Sequence, residues 1–135
     1  MNFDQATIRI LVRKDYGECF DFYTQKMGLL PVWGSRNGPY TSFAASGGAQ
    51  PCFAIFAAQA MSMFPGYTQP TAGAQPDTVV AIIPSLDLDG DYLRLKEAGV
   101  IFLGEPQYIE SWGMRCTYFR DPEGNLFELS DAGGV

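Results

Sequence analysis

Two stretches of the chain repeat the same order of hydrophobic and polar positions. Residues 7–12 (TIRILV) and 78–83 (TVVAII) are rich in β-branched side chains and predict strands. Each is followed by a segment with apolar residues on one helical face, at 17–27 and at 89–98. A shift of 71 residues superposes the two strand starts. This spacing indicates an internal duplication.

The ends of the predicted helices follow the same repeat. Asp15 is a suitable N-cap for the first helix. Gly28 and Gly99, again 71 residues apart, are suitable left-handed C-caps. Three short apolar segments follow each helix, at 29–33, 39–45 and 51–58 in the first half and at 101–103, 113–119 and 125–130 in the second. Each half therefore predicts the order strand, helix, strand, strand, strand.

The two halves are predicted to be modules of one domain that spans residues 1–135. The modules cover about 5–60 and about 77–131. Residues 61–76, which are rich in Gly, Pro, Gln and Thr, predict the linker between them.

Composition narrows the possible chemistry. The 135 residues include no histidine, which excludes Ser-His and Cys-His catalytic pairs and histidine metal sites. The net charge of −6 argues against a nucleic-acid partner and against binding to an anionic membrane surface. No leader sequence and no apolar run of membrane-spanning length is apparent, so we expect a cytoplasmic location. Cys19, Cys52 and Cys116 are widely spaced and are expected to be reduced, buried thiols.

Two segments carry a resemblance to a known family. They are FDFY at 20–23 with MGL at 27–29, and YFRDPEGNLFEL at 118–129, which ends in a Pro-Glu-Gly turn and a last strand containing Glu128. The combination resembles the vicinal oxygen chelate superfamily, which includes glyoxalase I, extradiol dioxygenases and bleomycin-resistance proteins. The resemblance implies an α+β fold in which two βαβββ modules form a curved, mostly antiparallel sheet around a cleft, with the helices on the outer face. It also implies a homodimer.

Metal-using members of that superfamily place His, Gln or Glu ligands on the first and last strands of each module. By the resemblance, these positions fall at Ile8, at residues 78–80, at Ala54 or Ile55, and at Glu128. Only Glu128 is of a ligand type, and one carboxylate cannot hold a catalytic divalent ion. We therefore expect no metal and no cofactor.

A metal-free cleft would have to recognise its ligand by other means. The chain contains 10 Phe, 7 Tyr and 2 Trp, and such side chains bind flat ligands by stacking. Glu128 is predicted either to face the cleft or to be a structural carboxylate paired with Arg115, whereas Arg9 and Arg13 are predicted to be solvated. The predicted ligand-binding set is Ile8, Ile10, Trp33, Tyr40, Phe56, Trp112, Arg115 and Glu128.

Three functions remain open at this point. The first is a metal-independent binding protein of the bleomycin-resistance type, which sequesters an aromatic or amphipathic compound and confers antibiotic resistance. The second is a glyoxalase- or dioxygenase-like enzyme, a lyase or oxidoreductase, that uses Glu128 with or without a divalent metal and a tyrosine as acid. The third is a structural or regulatory dimer with a filled cleft.

Overall fold

The structure, a computed structural model, describes residues 7–63 and 79–131. The chain divides into two compact units between residues 73 and 74, within the predicted linker. Unit 1 lies before this division and unit 2 after it.

Unit 1 is a four-stranded mixed sheet with helical segments. The strand order is β1-β4-β3-β2, with β1 and β4 parallel and the other two pairs antiparallel. Along the chain the elements are β1 (Ile8–Val12), α1 (Tyr16–Asp21) continued by a π-helical segment (Phe22–Lys26), β2 (Leu30–Gly34), β3 (Tyr40–Ala44), β4 (Pro51–Ala57) and a 3-10 helix (Ala58–Met63).

Unit 2 repeats this arrangement. Its strand order is β5-β8-β7-β6, with β5 and β8 parallel and the other two pairs antiparallel. The elements are β5 (Val80–Pro84), α2 (Leu88–Glu97), β6 (Gln107–Ile109), a 3-10 turn (Glu110–Trp112), β7 (Met114–Arg120) and β8 (Leu126–Ser130). The two units confirm the predicted α+β class and the βαβββ order of each half.

The helix ends confirm the local sequence signals. The Asp15 side chain accepts a hydrogen bond from the Glu18 backbone N–H at 3.0 Å, as an N-cap should. Gly28 and Gly99 have φ values of 77° and 96°, the left-handed conformation that glycine adopts without steric cost.

The prediction of a strand at residues 101–103, directly after the second helix, is wrong. Residues 101–103 form a single bridge, between Phe102 and Phe119, and the strand that pairs with β7 begins at Gln107. Between these two points lie Gly104 and Pro106. Proline has no backbone N–H to donate, so a continuous ladder through this stretch is not possible.

Each unit packs aromatic side chains between its sheet and its helix. In unit 1, the Tyr23 ring lies 5.7 Å from that of Phe43 and 4.8 Å from that of Phe53. In unit 2, contacts run from Tyr92 of α2 through Phe102 and Phe119 to Phe127. These rings mark the helix side of each sheet.

The cysteines depart from expectation at one position. No disulfide joins the three described thiols; Cys19 and Cys116 are buried, but Cys52 is exposed on β4, so its predicted burial is wrong. Within 7–63 and 79–131, no helix has the length and apolar character needed to cross a bilayer.

Candidate functional site

Strand register assigns the side chains of each sheet to one of two faces. Residues paired directly across neighbouring strands point to the same face, and successive residues alternate. We call the face turned away from α1 in unit 1, or from α2 in unit 2, the distal face. In unit 1 it carries Arg9, Leu11, Trp33, Tyr40, Ser42, Ala54 and Phe56.

Three aromatic side chains of the predicted set form a ladder on the distal face of unit 1. The ring centroids of Trp33 and Tyr40 are 5.7 Å apart, as are those of Tyr40 and Phe56. Both pairs meet edge to face, a favourable arrangement for aromatic rings. Phe56 is buried at 7% exposure, whereas Trp33 is 66% exposed. The ladder therefore runs from a buried base to an accessible indole.

The backbone at Gly34 fixes the exposed end of the ladder. Gly34 has a φ of 90°, and a side chain at this position would collide with the Tyr40 carbonyl oxygen. Only glycine combines this conformation with such a close approach. The result is that Trp33, one residue earlier, is held beside Tyr40 across the β2–β3 pair.

Arg9, which the sequence predicts to be solvated, is exposed and lies over this ladder. Its guanidinium carbon is 4.9 Å from the Phe56 ring centroid and 5.5 Å from that of Tyr40, within the range of cation–π attraction. Its Nη1 also donates to the sulfur of Met61 at 3.6 Å. The alternation of Arg9 with two isoleucines was the signal that could have placed it opposite the helix-packed face.

Ile8 and Ile10 do not join the ladder. They pair with Phe53 and Ile55, and Phe53 contacts Tyr23 on the helix side. The prediction that these two isoleucines face the same site as Tyr40 is therefore wrong. The resemblance places the β1 position one residue out of register, and a one-residue shift moves every side chain of a strand to the opposite face.

The distal face of unit 2 carries a different group at the matching place. Glu128 occupies the position of Phe56, since Glu128 pairs with Ile82 and Tyr118 as Phe56 pairs with Leu11 and Tyr40. Glu128 is buried at 4% exposure.

A short hydrogen bond fixes this carboxylate. The Tyr118 hydroxyl donates to Oε1 of Glu128 at 2.6 Å. This bond, together with burial, raises the pKa of the Tyr118 phenol well above its usual value. Tyr118 is therefore a firmly protonated donor, and the sequence analysis did not identify it as the partner of Glu128.

Arg115 is not the partner of Glu128, so that alternative is wrong. It lies on the helix side, where Nη1 and Nη2 donate to Asp89 of α2 at 2.8 and 3.0 Å. The guanidinium lowers the pKa of the Asp89 carboxyl.

Trp112, another residue of the predicted ligand-binding set, is the last residue of the 3-10 turn before β7 and so belongs to unit 2. Trp33 lies on β2 and belongs to unit 1.

A pocket of about 180 Å³ lies next to Tyr118 in unit 2, with Leu103, Glu105, Gln107, Ile109 and Cys116 among its lining residues. It is smaller than a drug-sized ligand site. Burial, and then the nearby Glu128, raise the pKa of the Cys116 thiol. A thiol held in its protonated form is a poor nucleophile, so the pocket offers no activated cysteine.

The described side chains do not suit a divalent metal ion. On the distal faces, the residues that pair with Phe56 and Glu128 on the neighbouring parallel strands are Leu11 and Ile82, and both are apolar. Among residues 7–63 and 79–131, no three Cys, Asp or Glu side chains come together as a metal site requires.

Comparisons with known proteins agree with this architecture. The family model described as the Glyoxalase/Bleomycin resistance protein/Dioxygenase superfamily matches residues 3–129. The uncharacterized protein YetH of Bacillus subtilis is 28% identical over 128 residues, which cover 93% of this chain and 96% of YetH.

Two solved structures share the fold. One is a member of the glyoxalase/bleomycin resistance protein/dioxygenase superfamily from Sphaerobacter thermophilus, at a TM-score of 0.64 and 24% identity, covering 93% of this chain and 95% of that one. The other is a lactoylglutathione lyase from Agrobacterium tumefaciens, at a TM-score of 0.63 and 21% identity, covering 93% and 92%. With the repeated βαβββ units and the family match along nearly its whole length, the chain belongs to the glyoxalase/bleomycin resistance protein/dioxygenase superfamily.

Proposed function

We propose that this protein binds an aromatic or amphipathic small molecule without a metal, in the manner of the bleomycin-resistance members of its superfamily. The observation that carries the proposal is the ladder on the distal face of unit 1, where the indole of Trp33 is 66% exposed. An exposed tryptophan held by its neighbours offers a large flat surface at little cost in conformational entropy.

The composition of the ladder supports a ligand with an aromatic ring. A flat ring can stack on Trp33 while its edge contacts Tyr40, and the hydroxyl of Ser42 on the same face can orient a polar substituent. Arg9 supplies the only charge among the described strands of this unit. None of these contacts requires a metal ion.

Binding can be measured on protein treated with EDTA, with naphthalene derivatives as probes. A probe at 100 times its Kd should stabilise the fold by about 2.7 kcal/mol in a thermal-shift experiment. Trp33→Ala should abolish this stabilisation. The matched control is Tyr108→Ala, which removes another aromatic side chain, 63% exposed, from unit 2 and should leave it unchanged.

No stabilisation of the unmodified protein by any aromatic probe would contradict the proposal. An equal loss of probe stabilisation in Trp33→Ala and Tyr108→Ala would place the binding site outside the ladder and would also contradict the proposal.

Homodimerisation is part of the proposal. Edge strand β2 exposes Leu30 and Val32, each at 45%, and apolar side chains on an unpaired edge favour contact with another chain. Light scattering after size exclusion should give twice the mass of the 135-residue chain, and Val32→Lys should reduce it. A monomer at all concentrations would contradict this part alone.

The pair formed by the half-buried Tyr118 and the buried Glu128 supports a second candidate function, that of a metal-free lyase. A protonated phenol beside a carboxylate provides an acid and a base 2.6 Å apart. The test is lactoylglutathione formation or breakdown in the presence of EDTA. Lyase activity that disappears in Glu128→Gln would favour the enzymatic function. The absence of lyase activity in the unmodified protein would contradict that function.

A further inference from the structure

We infer that the distal face of unit 2 contains a second binding site, in which Glu128 binds the ammonium group of a small arylalkylamine and the pocket beside Tyr118 holds its ring. The site belongs to a different unit from the aromatic ladder and does not depend on it, so the inference goes beyond the proposed function. It rests on a buried carboxylate with one unpaired oxygen, on a pocket the size of a single ring, and on the distribution of charge.

Glu128 is a buried acid in which one oxygen has a partner and the other does not. The residue is 4% exposed, and its Oε1 accepts the hydrogen bond from the Tyr118 hydroxyl at 2.6 Å. Within residues 7–63 and 79–131, no donor and no cation pairs with Oε2. All fully buried side-chain nitrogens and oxygens of these residues have hydrogen-bond partners, so Oε2 must be reached by solvent. A ligand can therefore approach this oxygen without breaking a contact of the protein.

A carboxylate so largely removed from water favours a cationic donor. Burial of a charged group costs free energy unless hydrogen bonds or an opposite charge compensate it, and the bond between an ammonium and a carboxylate is charge-assisted. The net charge of −6 also attracts cations to the protein. An ammonium group carries three N–H donors, so it supplies both the charge and the donor that Oε2 lacks.

The nearest candidate for an internal cation is engaged elsewhere. Among the described strand residues of unit 2, Arg120 is the one cation on the distal face. Its Nη1 donates to the carbonyl oxygen of Gly124, in the turn between β7 and β8, at 2.8 Å. No ion pair joins the two described side chains of Arg120 and Glu128, so Arg120 does not neutralise this carboxylate.

The ring of the ligand has a place close to the carboxylate. The pocket has a volume of about 180 Å³ and is lined by Tyr118, the hydrogen-bond partner of Glu128, together with the apolar side chains of Leu103 and Ile109. An apolar cavity of about 150 Å³ holds one benzene molecule, so this pocket suits a single six-membered ring. Tyr118 and Glu128 face each other on neighbouring strands. A ring beside Tyr118 therefore directs an ammonium one carbon away toward Glu128.

The charges at the pocket wall favour the same class of ligand. Among the described lining residues, the one charged side chain is that of Glu105, which repels an anion and attracts a cation. Burial, and then the nearby Glu128, raise the pKa of the Cys116 thiol, which also lines the pocket. The negative charge of Glu128 therefore acts on the pocket wall.

The experiment compares three single-ring probes of similar size: benzylamine, benzyl alcohol and benzoate. Their Kd values are measured at pH 7 by NMR titration of ¹⁵N-labelled protein that has been treated with EDTA. Benzylamine, a cation at this pH like the lysine side chain, should bind at least about tenfold more tightly than benzyl alcohol, the order of a charge-assisted bond. Benzoate should bind least tightly. The resonances that benzylamine shifts should cluster in residues 103–109 and 116–118.

Glu128→Gln should bring the Kd of benzylamine to that of benzyl alcohol, because it removes the charge and keeps an oxygen that can accept from Tyr118. Leu103→Ala should weaken both probes by a similar factor, because it removes part of the apolar wall and leaves the carboxylate. The matched control is Glu97→Gln, which removes the same charge from the exposed end of α2 and should leave the preference intact. Trp33→Ala, in unit 1, should leave it intact as well.

Equal affinity for benzylamine and benzyl alcohol, tighter binding of benzoate, or a preference that survives Glu128→Gln would each overturn the inference. An equal loss of the preference in Glu97→Gln, or binding of none of the three probes, would overturn it too. Shifts confined to unit 1 of the unmodified protein would do the same without relying on any variant. In each case, binding of naphthalene probes at Trp33 would still support the proposed function, so the two can fail separately.

Discussion

The two distal faces carry different chemistry at a position that the repeat makes equivalent. In unit 1, Phe56 lies between Leu11 and Tyr40, and in unit 2, Glu128 lies between Ile82 and Tyr118. Both units keep an aliphatic residue on the parallel strand and a tyrosine on the antiparallel one. The exchange of a phenyl ring for a carboxylate turns an aromatic ladder into a hydrogen-bonded acid pair.

The helix sides of the two sheets are both aromatic, but their rings do not occupy equivalent positions: one step from the Tyr40–Phe56 and Tyr118–Glu128 pairs, unit 1 has Thr41 paired with Ile55 and unit 2 has Phe119 paired with Phe127. Phe43 and Phe53 in unit 1, and Phe119 and Phe127 in unit 2, all pack aromatic rings between the sheet and the helix region. Both units therefore keep an aromatic helix side through rings at different positions, while their distal faces carry different chemistry.

The largest effect should appear on the helix sides, which are aromatic in both units. Phe43 and Phe119 are both fully buried, so Phe43→Ala and Phe119→Ala should each lower the free energy of unfolding by about 3–5 kcal/mol. Denaturant titration measures this loss. A loss below about 1 kcal/mol in either variant would contradict an aromatic core on both helix sides.

The Tyr118–Glu128 pair should show an energetic coupling that comes from its hydrogen bond. Tyr118→Phe leaves a buried carboxylate without its donor, and Glu128→Leu leaves the phenol without its acceptor. Each should cost about 1–3 kcal/mol of unfolding free energy. The double variant should cost less than the sum of the two, because it removes both polar partners. Additive losses would show that the hydrogen bond contributes nothing.

The raised pKa of Tyr118 predicts a loss of stability at alkaline pH. Above about pH 10 the unfolded tyrosine releases its proton, while the folded one keeps it. The unfolded state then binds fewer protons, so stability falls as the pH rises, until Tyr118 ionises in the folded state too. Tyr118→Phe should reduce this slope between pH 9 and 11, as followed by unfolding at fixed denaturant. An unchanged slope would contradict the assignment.

The smallest effect should follow from Arg115→Gln. Its ion pair with Asp89 lies on the helix side and is open to solvent, so its removal should change stability little. It should leave the affinity for naphthalene probes unchanged, in contrast to Trp33→Ala. A loss of probe binding in Arg115→Gln would restore Arg115 to the ligand site.

The sequence predicts those parts of the fold that depend on neighbouring residues. Asp15, Gly28 and Gly99 act through local backbone geometry, and the structure confirms all three. The face on which each strand side chain lies was harder to predict, because a shift of one residue in register decides whether Ile8 or Arg9 points to the site. A sequence pattern cannot set that register without the partner strand, and here β4 sets it through its pairing with β1.

Side-chain partners that are distant in the sequence were also beyond prediction. Arg115 pairs with Asp89, 26 residues earlier, because α2 crosses the helix side near β7. Tyr118 meets Glu128 because β7 and β8 form an antiparallel pair. Residue types indicated that such groups were present, but only the strand and helix packing chose between their partners.

The central claim is that the distal face of unit 1 binds an aromatic ligand without a metal. The chain has two tryptophans, so a Trp112→Phe background leaves Trp33 as the single indole. Titration of the ¹⁵N-labelled protein with 2-naphthoate in EDTA should give a saturable shift of the Trp33 indole N–H resonance. Saturable binding that leaves this resonance unmoved, or that requires an added divalent metal, would contradict the account.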